Sequence, residues 1–123
     1  MIIYEKIEEY SGCEECTISE IIIYELYHAF QQFDIDLAYS GSRDYLETYK
    51  FNNFNVGYFV RHDEFVLELY YNDELLYESC YSIYNDFNPT LEVYKMLNNA
   101  TEQMKQEKMG DTILRLMAYK SKI

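Results

Sequence analysis

Residues 54–84, FNVGYFVRHDEFVLELYYNDELLYESCYSIY, alternate apolar and polar side chains in three successive segments separated by short polar breaks. Phe54, Val56, Tyr58 and Val60 fall on one side of the first segment, with Asn55, Gly57 and Arg61 on the other. His62-Asp63-Glu64 marks a turn into Phe65, Leu67, Leu69 and Tyr71, and Asn72-Asp73 a second turn into Leu75, Tyr77, Ser79, Tyr81 and Ile83. A side-chain period of two is the pattern of a half-buried strand. Connections this short join only antiparallel neighbours. Upstream, Ile35, Leu37 and Tyr39 keep the alternation, Ser40-Gly41-Ser42 reads as a turn, and Tyr45, Glu47 and Tyr49 resume it. Residues 34–84 therefore predict an antiparallel meander of four or five strands.

The flanks change period. Thr17-Ile18-Ser19-Glu20 has the spacing of a capping box, in which a threonine hydroxyl and a glutamate carboxylate satisfy each other's backbone N–H groups. Ile18, Ile22, Leu26, Ala29, Phe30 and Phe33 then recur at three- and four-residue steps, widened by Ile21, Ile23 and Tyr27, which predicts a largely buried helix of about four turns. Before it, residues 1–10 alternate loosely as a strand or an opening arm, and residues 11–16 read as a loop. After the sheet, Asn88 or Thr90 can cap a helix with Pro89 in its first turn, carrying Leu91, Tyr94, Leu97, Thr101 and Met104 on one face. Gly110 reads as its stop, and Asp111 as the cap of a last helix with Ile113, Leu116, Met117 and Tyr119. The expected fold is one acidic α+β domain over residues 1–123: an N-terminal helix, the β-meander, and two C-terminal helices packed on one sheet face.

Composition limits what such a domain can do. With 49% hydrophobic residues, 15 Tyr and 7 Phe, the chain has the material of a packed core and not of a disordered acid. AT-rich codons account for much of the Tyr and Phe, but they would raise Lys as well, and acids outnumber bases by 22 to 10. No stretch approaches the ~18 apolar residues of a membrane span. The first residues lack a basic segment followed by an apolar one, and three cysteines suit a reducing interior, so the expected location is cytoplasmic.

Charge is unevenly placed. Residues 1–94 hold 19 acids against 4 bases, and residues 95–123 hold 3 acids against 6 bases. A field this negative repels nucleic acid and anionic membranes and attracts basic proteins. The bases Lys95, Lys105, Lys108, Arg115, Lys120 and Lys122 are dispersed over two predicted helices, several near C-termini where they complement the macrodipole. Attraction to the acidic body or to another copy accounts for them more simply than nucleic-acid binding does.

Candidate chemistry is sparse. Cys13-Glu14-Glu15-Cys16 is half of a zinc site, but only Cys80, His62 and His28 remain to complete it, at no recognised spacing. As a redox pair it carries two glutamates that would raise the thiol pKa. His28 falls just off the apolar stripe of the first helix, where a partly buried structural role is expected, and His62 lies in a turn. No glycine run cradles phosphate. The expectation is a protein that is no enzyme and holds no metal or cofactor.

The sheet acids are more suggestive. Glu47, Asp63, Glu64, Glu68, Asp73, Glu74, Glu78 and Asp86, with Tyr70 and Tyr81, are the expected partner-binding residues, and Asp44, Tyr77 and Tyr84 would extend the same surface. Surface charge runs are ordinarily just solvated, yet a net charge of −12 exceeds the ~2–8 that suffices for solubility of a small domain. Carboxylates steer toward basic sites, and tyrosines give rigid contact area at low entropic cost. The leading expectation is a non-catalytic inhibitor that occupies the basic groove of a nucleic-acid-binding enzyme or nuclease. In size and charge the chain resembles, by type and not by motif, phage or mobile-element proteins that act as DNA mimics against restriction or CRISPR (anti-CRISPR) systems. The alternatives are an immunity protein or antitoxin for a basic toxin, and an adaptor or homodimerisation module.

Overall fold

The computed structural model describes residues 1–7, 14–43 and 46–123. Its elements run α1 (Ile3–Lys6), α2 (Glu14–Gln31), β1 (Ala38–Arg43), β2 (Leu46–Phe51), β3 (Phe54–Arg61), β4 (Glu64–Tyr71), β5 (Glu74–Ser82), α3 (Pro89–Asn98), α4 (Thr101–Gln106) and α5 (Gly110–Lys120). The five strands form one antiparallel sheet in the order β1-β2-β3-β4-β5, as the alternation predicts. Its tight turns use residues that tolerate left-handed backbone: Asn52 (φ 48°), His62 (φ 55°), and Asn72 and Asp73 (φ 47° and 67°). Two consecutive positive φ values are what a type I′ hairpin turn requires, and its twist matches that of the strands.

Helices cover one sheet face. Phe54, Val56 and Tyr58 of β3 and Phe65, Leu67 and Leu69 of β4 are buried with Ile18, Ile22, Leu26, Phe30 and Phe33 of α2 and Val93, Met96 and Leu97 of α3. At ~1.5–3 kcal/mol for each large apolar side chain removed from water, this layer dominates stability. The expected α+β architecture holds, with an antiparallel meander and its helices on one face.

Several boundaries differ. Residues 3–6 are helical, not extended, and Ile2 makes a single bridge to Asp86. α2 begins at Glu14, so Thr17 is not a cap but a helical residue, 4% exposed. Tyr27, expected to widen the apolar stripe, is exposed. Ser40-Gly41-Ser42 is not a turn: it lies within β1, where Gly41 (φ 111°) makes a bulge that shifts the register after Tyr39. Ile35 and Leu37 are buried but precede the strand.

At the C-terminal end, Asn88 caps α3 by accepting from the Leu91 N–H at 3.1 Å, with Pro89 behind it. The expected single helix through Met104 breaks after Asn98. There Asn99 Nδ2 donates to the Lys95 carbonyl at 2.8 Å and Thr101 Oγ1 to the Asn98 carbonyl at 2.9 Å, side chains competing with the helix for its acceptors. Gly110 does not end a helix but begins α5, and Asp111 is a first-turn acid, not a cap. The stop is Lys108, with φ 58°. Its N–H reaches the Lys105 carbonyl at 3.1 Å, and that of Met109 reaches the Met104 carbonyl at 3.0 Å. These are the paired bonds of a Schellman motif, a lysine standing where glycine is usual.

Candidate functional site

The sheet face opposite the helices carries the acids. Alternation along β4 puts Glu64, Val66, Glu68 and Tyr70 there, and antiparallel pairing sets Glu68 beside Glu78 and Val66 beside Cys80 on β5. On the other flank Glu68 pairs with Gly57, which has no side chain to screen it. Like charges directly opposite each other destabilise a sheet, by roughly 0.2–1 kcal/mol on the scale of cross-strand pairs. Glu78 and Glu64 are exposed and Glu68 half-buried. Tyr70 donates its phenol to the Glu68 carboxylate. Arg61 lies 3.9 Å from Glu64, a long contact between exposed groups that neutralises little. Cys80, which is exposed, donates to Glu64 at 3.7 Å; desolvation and then the Glu64 charge push its pKa up.

Of the expected partner-binding residues, Glu64, Glu68, Tyr70 and Glu78 thus share one face. Asp63 is exposed in the β3–β4 turn, and Asp73 and Glu74 sit at the β4–β5 turn, the far end of the same strands. Three others do not join them. Glu47 pairs with Tyr58 on the helix-side parity and accepts from Tyr39 Oη and Ser42 Oγ, both at 2.9 Å. Asp86, beyond β5, accepts from the Met1 amino nitrogen at 2.7 Å, and that ammonium holds its carboxyl below the usual range. Tyr81 faces the helices, as does Tyr77. Asp44 lies outside the described residues.

Those two tyrosines belong to a cluster that sequence reasoning missed. Glu92, in the first turns of α3 and only 2% exposed, accepts from Tyr77 Oη at 2.8 Å, Ser79 Oγ at 2.5 Å and Tyr81 Oη. A buried carboxylate is tolerable only with such donors. Desolvation and the bond to Glu92 push the Tyr77 phenol up to about 12, and the same causes raise Tyr81. As a first-turn helix acid, Glu92 looks like an ordinary dipole partner. The readable signal was in β5: hydroxyls at Tyr77, Ser79 and Tyr81, three successive inward positions, require an acceptor in the core.

His28 is exposed rather than partly buried, its ring 4.4 Å from that of Tyr24. Among the described residues no group of three or more His, Cys, Asp or Glu side chains could hold a metal ion. The Cys13–Cys16 half-site lies outside what the structure describes, apart from the Cys16 backbone in α2. No described helix is long and apolar enough to cross a membrane. The chain matches no family model, and no curated protein or solved structure matches it.

Proposed function

We propose that the chain is a non-catalytic inhibitor whose outer sheet face occupies the basic groove of a nucleic-acid-binding protein, carboxylates lying where phosphates would. The observation that carries this reading is the Glu68–Glu78 pair. Two acids set directly opposite each other cost stability, and a surface selected only for folding has every reason to lose one. With Glu64 they form a rigid row on strands, a better scaffold for presenting charge than a loop. Tyr70, bonded to Glu68, adds aromatic contact area at the same place. Blocking a groove requires no catalytic group. Within that class, the proposed targets are restriction and CRISPR enzymes.

The test is a pull-down with tagged protein from a host lysate at low and high salt, in parallel with the Glu64→Gln/Glu68→Gln/Glu78→Gln variant. A basic nucleic-acid-binding protein should be retained at low salt by wild type, released by salt or competing DNA, and missed by the variant. Partners held equally by both proteins at both salts would overturn the reading.

A further inference from the structure

We propose that the outward side of α5 is a self-association surface on which two copies pair their α5 helices antiparallel. α5 packs inward through Thr112 and Leu116, flanked by the half-buried Ile113 and Tyr119. Outward it presents Leu114 and Met117, 64% and 62% exposed, the most exposed large apolar side chains on any described helix. Three residues apart, they are neighbours on one helical face. Beside Leu114 lies a shallow hollow bounded by Asp34, Asp111, Arg115 and Ala118, where the short alanine side chain leaves room for an incoming apolar group.

Charge identifies the occupant and its direction. Two bodies of net −12 repel, so copies approach most easily where the sign is locally reversed. That place is residues 95–123, with six bases against three acids. Along α5 its one acid, exposed Asp111, stands in the first turn and its bases follow: exposed Arg115 at mid-helix and exposed Lys120 in the last turn, with Lys122 beyond it. Turned end for end, a second copy brings its basic C-terminal end, with Lys120 and Lys122, alongside the end that carries Asp111, and its own Asp111 end alongside Lys120 and Lys122. The two macrodipoles also oppose each other. Parallel pairing would stack like charges. The arrangement is two-fold, each copy offering the same patch.

The helix face is small, below the ~1,200 Å² of a standard stable interface, so the pair is a concentration-dependent equilibrium rather than an obligate dimer. α5 lies in the helical layer, so the acidic sheet face stays open in such a pair.

Sedimentation velocity on purified protein from about 10 µM to 1 mM, the span of weak association, tests it. The mass should rise from 14.9 kDa toward twice that value. Leu114→Gln/Met117→Gln, at exposed positions, should keep its thermal melt and remain monomeric. Asp111→Lys should lose self-association, and so should Lys120→Asp/Lys122→Asp. Mixed together, those two charge-reversed proteins should associate again, because each restores both unlike contacts for the other. A monomer at every concentration, association untouched by the Leu114/Met117 change, or a mixture that stays monomeric would overturn the proposal.

Discussion

Removing the hydroxyl of Tyr81 should destabilise the fold although it removes almost no packing. Tyr81 donates to a carboxylate that is only 2% exposed, and hydrogen bonds to charged groups contribute about 1.5–3 kcal/mol net. Tyr81→Phe should therefore cost about 2 kcal/mol. Tyr77→Phe, whose oxygen lies 2.8 Å from Glu92, should cost about 1.5 kcal/mol. Glu92→Ala should be worse, about 3–5 kcal/mol, because it strands three hydroxyls without an acceptor. Removing every polar member at once gives the opposite expectation. Tyr77→Phe/Ser79→Ala/Tyr81→Phe/Glu92→Leu leaves nothing unsatisfied, and apolar replacements of buried charge are often near neutral, so it should recover most of that loss. Urea unfolding followed by circular dichroism, compared at constant m, measures all four. A Tyr81→Phe cost below about 0.5 kcal/mol, or a quadruple variant weaker than Glu92→Ala, would refute the view that this cluster is held by its hydrogen bonds.

Three further outcomes follow from the same geometry. The Tyr77 phenol is raised to about 12 from an ordinary 10, so the folded state holds its proton more tightly than the unfolded chain. Its contribution is complete below pH 10 and fades between 10 and 12, and Tyr77→Phe should flatten stability measured across that alkaline window. Lys108→Gly relieves a left-handed residue at φ 58° and should raise stability by about 1 kcal/mol, read as a higher melting temperature. Gly57→Ala places a Cβ 2.8–3.0 Å from the Leu46 side chain and should cost about 1–3 kcal/mol; Leu46→Ala in the same chain should cancel much of that cost in a double-mutant cycle.

The strands were the most legible part of the chain because two independent signals agreed on them. Side chains alternate along β3, β4 and β5, and Asn72-Asp73 supplies the left-handed residues of a tight turn at the point where the alternation resets. α2 was equally plain from its stripe, and Asn88 from its place before Pro89. Where one local signal serves two geometries, the reading failed. Gly41 suits a bulge as well as a turn, and only the pairing of β1 with β2 decides. Gly110 invited a helix stop, while the actual stop uses Lys108, which pays a backbone cost that composition does not advertise. Thr17 has capping spacing, but the helix extends upstream past it. For the site, alternation alone brought Glu64, Glu68 and Tyr70 to one face, since it needs only the register of a single strand. Their junction with Glu78 needed the register between strands. The Glu92 cluster joins a helix to β5 across the core, a long-range contact to which no local pattern points.

If the outer sheet face is the proposed binding surface, the position of its acids, and not net charge alone, decides whether the partner is held. Capture of the basic partner by wild type should be compared with Glu64→Gln/Glu68→Gln/Glu78→Gln and with Glu5→Gln/Glu20→Gln/Glu102→Gln, which removes equal charge from exposed helical sites. Only the sheet variant should lose the partner, while its stability is unchanged or higher because the Glu68–Glu78 repulsion is gone. Equal loss in both variants, or full retention by the sheet variant, would contradict it.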